Sequence, residues 1–140
     1  MVIGYTTGVF DLFHVGHVNL LRNAKSMCDR LIVGVTSDDL VAYKNKCSVI
    51  PFEERIEIVR SSQYVDLAVA QESMDKMDAH NRYKFNIMFV GDDWYQSDKW
   101  REFDREFEER NVRIIYFPYT KTTSSTLVNE ILLSLRNEAK

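Results

Sequence analysis

Two histidines, His14 and His17, stand three residues apart around Gly16 and are the side chains of this chain best suited to chemistry. The segment Val2–Thr6 before them is typical of a buried strand, and the segment after them is typical of a helix. The first turn of a helix carries backbone N–H groups without intrahelical partners and a partial positive charge. Two imidazoles there could donate to one anion, so the pattern indicates a phosphate site.

Three other interpretations of the histidine pair are less well supported. Zinc needs three or four ligands, and the remaining candidates His80, Cys28 and Cys47 lie far along the chain without paired spacing. A lone histidine at a helix start is usually packed or solvated, but a pair following a strand, with Asp11 and Gly16 beside it, needs a further reason. The chain has neither a G-x-G-x-x-G nor a G-x-x-x-x-G-K-[ST] motif, so a glycine-triplet dinucleotide site and a P-loop are excluded.

A second junction of the same kind follows Pro118, where the segment 120–126 contains six hydroxyl side chains in seven residues. Ser and Thr before a helix are ordinary N-caps, but one cap explains only one of them. The remaining hydroxyls indicate a second phosphate contact.

Apolar runs of strand length alternate with amphipathic segments along the whole chain. The predicted strands are Val2–Thr6, Leu31–Thr36, Val65–Ala70, Asn86–Val90 and Val112–Phe117. This alternation predicts one α/β domain over residues 1–140, with a parallel sheet covered by helices on both faces. The least regular segment, Tyr43–Pro51, is a candidate mobile active-site loop.

Helix signals follow several of these runs. Pro51 before two glutamates predicts one helix start, and Ser97-Asp98 predicts another. The final helix is expected to run from Leu127 to about Arg136. Apolar positions at helical spacing predict buried faces. They are Trp100, Phe103 and Phe107 in one helix, and Leu127, Ile131, Leu132 and Leu135 in the last.

Composition narrows the class of protein. The formal net charge is −3, with basic and acidic residues interspersed, which argues against nucleic acid or an anionic membrane as the main partner. The two cysteines form no disulfide framework, and neither a signal peptide nor a membrane-spanning run is evident. We therefore expect a reduced, cytoplasmic protein.

The segment Gly8–His17 resembles the HxGH signature of the nucleotidyltransferase superfamily. Within it, the chain is most similar to the cytidylyltransferase family, in particular the small bacterial glycerol-3-phosphate cytidylyltransferases. The resemblance implies a Rossmann-like doubly wound five-stranded parallel sheet. It also implies transfer of CMP from CTP to a phosphorylated small alcohol, most simply glycerol 3-phosphate.

Two further blocks carry the resemblance to nucleotide-binding motifs. The block Gly91-Asp92-Asp93-Trp94 resembles G-D-D-W, which closes over base and ribose, although Gly-Asp pairs also make simple turns. The hydroxyl-rich segment resembles R-T-x-G-x-S-T-T, which holds the triphosphate. The matching positions of that segment are Thr120, Ser124, Ser125 and Thr126. Tyr119 replaces the usual arginine and Thr122 the usual glycine, so the grip on pyrophosphate should be weaker or supplied by Lys121.

The last block is basic. Lys44 and Arg55 match positions where the family binds phosphate groups of the two substrates, whereas Lys46 is equally well a solvated surface lysine. The segment Gln63–Asp66 resembles an R-Y-V-D segment associated with the dimer contact, so a homodimer is expected even though Gln63 replaces the arginine.

The resemblance implies a role for each residue of the first block. His14 and His17 would donate to the α-phosphate and the bridging oxygen, and their donation would strengthen as charge accumulates. Thr7, Gly8, Phe10 and Gly16 would lie at the nucleotide phosphates, and Asp11 would orient the site or a metal-bound water. Mg²⁺ is expected as cofactor, bound mainly through the triphosphate.

Other activities stay open at this point. The acceptor could be phosphocholine or phosphoethanolamine, and the nucleotide could be ATP in an adenylyltransferase of the same superfamily. Because Tyr119 and Thr122 weaken one phosphate block, the chain could also be a binding module that senses CTP without turnover.

Overall fold

The protein is described by a computed structural model that covers residues 1–43, 47–91, 98–118 and 125–138. Strands and helices alternate throughout, as the sequence predicts. The elements are β1 Ile3–Gly8, α1 Val15–Ser26, β2 Arg30–Thr36, α2 Asp38–Tyr43, α3 Phe52–Arg60, β3 Leu67–Gln71, α4 Lys76–Tyr83, β4 Ile87–Gly91, α5 Asp98–Glu109, β5 Arg113–Phe117 and α6 Ser125–Glu138. Each predicted strand is confirmed, with its ends shifted by at most two residues.

The five strands form one parallel sheet in the order β3-β2-β1-β4-β5. The chain adds β2 and β3 on one side of β1, and then adds β4 and β5 on the other side. Ligands of open α/β sheets bind at the carboxyl ends of the strands where this reversal occurs. The predicted Rossmann-like fold is therefore confirmed, and its switch point lies between β1 and β4.

The core has one layer on each face of the sheet. Successive residues of β2 alternate between the layers, so Leu31 and Val33 pack with Leu21 of α1 and Val59 of α3, whereas Ile32 joins the opposite layer. That opposite layer contains Phe85, Met88, Trp100 and Phe107. The expected burial of the α5 aromatic stripe is confirmed for Trp100 and Phe107, and Phe103 packs beside them half-buried.

The expected burial of the last helix is wrong for two of its residues. Ile131 is 52% exposed and Leu135 is 56% exposed, as is Leu133 at 55%, while Leu132 is half-buried. Apolar residues at four of five consecutive positions cover more of the circumference than one face can bury. The side chain of Leu127 lies outside the described residues. No helix in the described ranges is both long and apolar enough to cross a membrane.

Candidate active site

His14 and His17 cap the amino end of α1 reciprocally. His14 is the N-cap residue, and its Nδ1 accepts from the backbone N–H of Gly16 at 3.0 Å. The backbone N–H of His14 in turn donates to Nδ1 of His17 at 3.1 Å. This is a capping box at the usual N-cap to N3 spacing, with imidazole nitrogens in place of the hydroxyl and carboxylate.

The capping hydrogen bonds determine the tautomer of both rings. A ring nitrogen that accepts a hydrogen bond carries no proton, so each neutral imidazole must carry its proton on Nε2. Burial lowers the pKa of His14, and burial together with the neighbouring His14 lowers the pKa of His17 to about 4. At neutral pH both residues are therefore uncharged, with Nε2–H groups as their available donors.

The loop that carries the histidines is held in an unusual backbone conformation. Phe10 and Leu12 both have positive φ angles, 55° and 51°, which side-chain-bearing residues adopt rarely. The Phe10 ring is buried and lies 5.3 Å from the His17 ring, and Phe13 stacks on His17 at the same distance. The strain is thus compensated by packing that orients the His17 imidazole.

A cavity of about 190 Å³ opens at the carboxyl ends of the strands beside this loop. Three residues predicted from sequence line it: Thr7 and Gly8 from β1, and Gly91 from β4. The cavity is also lined by Thr36, Gln71, Met74, Lys76, Trp100 and Phe103. The sheet therefore brings the ends of β1, β2, β3 and β4 together around one space, as the switch-point rule requires.

Lys76 is the residue that sequence reasoning missed. It is the first residue of α4, only 4% exposed, and its Nζ donates to Thr7 Oγ1 at 3.0 Å. One signal was present in the sequence. Asp75 is a good N-cap, and a cation directly after the N-cap is unfavourable because the helix dipole is positive there. A lysine at that position therefore indicates a tertiary contact that offsets the local cost.

Asp11 orients the chain segment that precedes α3. Its Oδ2 accepts from the backbone N–H of Val49 at 2.8 Å, and its Oδ1 accepts from that of Ile50 at 3.0 Å. The carboxylate is buried, and it joins the histidine loop to residues 49–50. The expected role of Asp11 in orienting the site or a metal-bound water stays a prediction.

Arg55 is wholly buried and binds acceptors inside the protein. Its Nε donates to the carbonyl of Ile50, one terminal nitrogen donates to the carbonyls of Val9 and Thr36, and the other donates to the carboxylate of Asp38. These bonds are 2.6–2.8 Å long and link the ends of β1 and β2 to the start of α3. This arrangement makes Arg55 a positioning residue. The expected phosphate contact has no support in it and stays a prediction.

The N–H of Gly16 is also occupied, because it donates to His14. Gly16 is therefore part of the cap, and its expected place at the nucleotide phosphates stays a prediction. Several predicted site residues lie outside the described part of the chain. They are Lys44, Lys46, Asp92, Asp93, Trp94, Thr120 and Ser124, together with Tyr119, Lys121 and Thr122. Ser125 and Thr126 begin α6, but their side chains are not described.

Metal ligands do not cluster in the part of the chain that is described. No three His, Cys, Asp or Glu side chains converge there. Both oxygens of Asp11 accept backbone N–H groups. Among the described residues, Asp11 is therefore engaged by the backbone of residues 49–50.

A parallel sheet of this order, followed after β1 by a helix that two imidazoles cap, defines a Rossmann-like α/β protein. The chain belongs to the cytidylyltransferase-like family, which matches residues 5–131.

Several proteins of known name are similar to this chain. The glycerol-3-phosphate cytidylyltransferase of Staphylococcus aureus is 31% identical over 128 residues, covering 91% of this chain and 92% of that protein. The FAD synthase of Archaeoglobus fulgidus is 34% identical over 106 residues, covering 76% and 75%. A lipopolysaccharide core biosynthesis protein from Thermoplasma volcanium has the same fold, with a TM-score of 0.71 at 23% identity over 86% of this chain and 97% of that one.

Proposed function

We propose that the protein is a nucleotidyltransferase that moves CMP from CTP to a phosphorylated small alcohol, with glycerol 3-phosphate as the acceptor. One observation carries the proposal: the two family histidines present neutral Nε2–H donors at the start of α1, since their Nδ1 atoms are engaged in the cap. The similarity to glycerol-3-phosphate cytidylyltransferases over more than nine-tenths of the chain supports CTP and this acceptor.

The proposed cytidylyl transfer is a reaction that neutral hydrogen-bond donors of this kind can assist. A phosphate oxygen of the acceptor attacks the α-phosphorus of CTP, the new P–O bond forms, and the bond to the bridging oxygen breaks as pyrophosphate leaves. A phosphate monoester has a second pKa of about 6, so it is already a dianionic nucleophile at neutral pH and needs no general base. The protein therefore has to position two anions and stabilise the charge that accumulates.

His14 and His17 are suited to stabilising the charge that accumulates during the reaction. An N–H donor that is fixed before the reaction stabilises developing negative charge without reorganising, and a neutral donor does not bind the ground-state anion as strongly as a cation would. Asp11 and Arg55 support the task by holding the loop before α1 against residues 49–50 and the end of β2.

Mg²⁺ belongs to the proposal as a companion of the triphosphate. Hard cations bind triphosphate oxygens with few protein ligands. It would neutralise charge on the nucleotide. The roles proposed for His14, His17, Asp11 and Arg55 do not depend on it. A homodimer is proposed from the Gln63–Asp66 segment, and light scattering of the purified protein tests it.

A second candidate is adenylyl transfer from ATP. It is supported by the identity of 33–34% to archaeal FAD synthases over three quarters or more of the chain. Phosphoethanolamine is a further acceptor to test, because the ethanolamine-phosphate cytidylyltransferase of Arabidopsis thaliana is 33% identical over 96 residues, although this chain covers only 22% of it.

The test is pyrophosphate release by the purified protein with Mg²⁺. CTP and ATP are each paired with glycerol 3-phosphate, phosphocholine, phosphoethanolamine and FMN. His17→Ala is the loss-of-function variant, and His80→Gln is the matched control, because His80 lies within α4, where its ring packs on Phe85. Release with CTP and glycerol 3-phosphate that His17→Ala abolishes supports the proposal. Release with ATP and FMN alone would replace it by the second candidate. CTP binding without release would favour the sensing module.

A further inference from the structure

Gln71 carries a buried, uncharged amide on the wall of the cavity. It is the last residue of β3 and is only 6% exposed. Its register partner on β2 is Thr36, which is 1% exposed and also lines the cavity. The hydroxyl of Thr36 donates to Oε1 of Gln71 at 2.8 Å. The carboxyl ends of β2 and β3 therefore present a fixed pair of uncharged polar groups to the cavity.

The hydrogen bonds of Gln71 determine the direction of its amide. Its Nε2 lies 3.3 Å from the carbonyl oxygen of Ser73, which only accepts, so the nitrogen faces Ser73 and the oxygen faces Thr36. The same nitrogen lies 3.9 Å from Sδ of Met74, which also lines the cavity. A thioether sulfur is a weak acceptor. A ligand oxygen in the place of the sulfur would therefore be a better acceptor for this buried amide.

The place of Gln71 in the sheet puts it on the acceptor side of the proposed reaction. Two segments that resemble nucleotide-binding blocks follow β4 and β5. Gln71 ends β3, at the opposite edge of the sheet, and β1 lies between the two sides. In a displacement at phosphorus the nucleophile enters opposite the leaving group. An acceptor would therefore approach from the β2–β3 side, and the part beyond its phosphate would meet the wall that Thr36 and Gln71 form.

An N–H donor beside a hydroxyl oxygen is complementary to an alcohol. An alcohol hydroxyl accepts from the amide and donates to the oxygen of Thr36, whose own hydrogen is used by Gln71. An ammonium group only donates, so it would meet the amide N–H with another donor. A site built around a substrate hydroxyl discriminates strongly against analogues that lack it. This wall therefore favours a head group with hydroxyls over one with an amine.

We infer that Gln71, oriented by Thr36, binds a hydroxyl of the acceptor and selects phosphorylated polyols over phosphorylated amino alcohols. This inference rests on the proposed nucleotidyl transfer and assigns a residue to the choice of acceptor. Glycerol 3-phosphate has free hydroxyls beyond its phosphate, whereas phosphoethanolamine has an amine there.

The test compares acceptors that differ only in their hydroxyls. Glycerol 3-phosphate is paired with propyl phosphate, which has the same carbon chain without them, in the wild type and in Gln71→Met. Methionine keeps the length and removes the amide. The preference for glycerol 3-phosphate in kcat/KM should fall roughly 10-fold in Gln71→Met. Both acceptors are measured on one sample, so the ratio does not depend on how much of the variant is folded.

Two further variants complete the test. Gln71→Glu replaces the N–H donor by an acceptor, so the kcat/KM for phosphoethanolamine relative to glycerol 3-phosphate should rise about 10-fold. Asn81→Leu is the matched control, because it removes an amide of similar shape at an exposed position of α4, where that amide binds Arg110. It should leave both ratios within about twofold of the wild type.

Three results would overturn the inference. They are an unchanged preference for glycerol 3-phosphate over propyl phosphate in Gln71→Met, an unchanged ratio in Gln71→Glu, or a wild type that does not distinguish glycerol 3-phosphate from propyl phosphate. Calorimetric binding of these two acceptors needs no turnover. If the wild type releases no pyrophosphate, the proposed function fails, and the binding ratios of the wild type and Gln71→Met still decide the role of Gln71.

Discussion

The N–H of His14 donates to Nδ1 of His17 at 3.1 Å, and Nδ1 of His14 accepts from the N–H of Gly16, so each histidine helps to hold the helix end that presents the other. The two rings lie 4.0 Å apart. The capping role and the proposed catalytic role thus use different nitrogens of the same side chains. The two roles can be separated by substitution.

His14→Asn is expected to keep the cap and lose the reaction. Asn is among the best N-cap residues, so the free energy of unfolding should change by less than about 1 kcal/mol. It carries no Nε2–H at the reach of an imidazole, so turnover should fall about 10²- to 10³-fold. Chemical denaturation and pyrophosphate release measure the two effects on the same sample.

His14→Ala is the matched variant for this pair. It removes the cap as well, so it should be about 1 kcal/mol less stable than His14→Asn while showing the same loss of turnover. If His14→Asn kept more than a tenth of wild-type turnover, the imidazole would not be the donor that we propose.

The stability of the protein should fall in mild acid because of His17. Its pKa is about 4 in the folded protein, lowered by burial and by His14, against 6.5 for an ordinary histidine. Between these values the unfolded chain binds a proton that the folded protein does not. The stability is therefore complete above about pH 6.5 and is lost as the pH falls towards 4, by up to about 3 kcal/mol.

Unfolding free energies at several pH values between 7.5 and 4.5 test this, with His17→Gln as the comparison. Gln can accept the same capping hydrogen bond at N3 but does not titrate. His14 and His80 also have lowered pKa values, so the wild type alone does not isolate His17. The difference in unfolding free energy between the wild type and His17→Gln, taken at each pH, isolates the contribution of His17. Parallel curves for wild type and His17→Gln would contradict the assignment.

The sequence predicts the elements of this fold better than it predicts the contacts of the site. Apolar runs of strand length located each described strand, because a run of consecutive buried residues is a local signal. The meeting of Lys76 with Thr7, 69 positions apart, depends on strand order, which no local pattern encodes. The partners of Arg55 are mostly backbone carbonyls, and their directions depend on the path of the loops. The capping box was visible as a spacing of three, but its residue types are not the usual ones.

Arg55→Lys is expected to lower the free energy of unfolding. Lysine keeps the charge but lacks the fork that serves Ile50, Val9 and Thr36 together, so buried carbonyls lose their partner. The expected loss of unfolding free energy is about 3 kcal/mol. Arg60→Lys is the control from the same helix. Its partner Glu57 is exposed, so it should change stability by less than about 0.5 kcal/mol. A stable Arg55→Lys protein with a raised KM for the acceptor would instead support the predicted contact between Arg55 and a substrate phosphate.

Gly4 of β1 lies against Phe89 of β4 and against Cys28, which follows α1, and its replacement by alanine should strain these contacts. An added Cβ would lie 2.6 Å from the Phe89 ring and 2.8 Å from Cys28 Sγ. Overpacking of this kind costs about 1–3 kcal/mol. If the contact is direct, Cys28→Ala should relieve part of the strain. Gly4→Ala/Cys28→Ala should then be more stable than the sum of the single changes predicts, by at least about 0.5 kcal/mol. A double-mutant cycle from thermal or chemical unfolding measures this coupling, and strict additivity would show that β1 shifts to accommodate the methyl group.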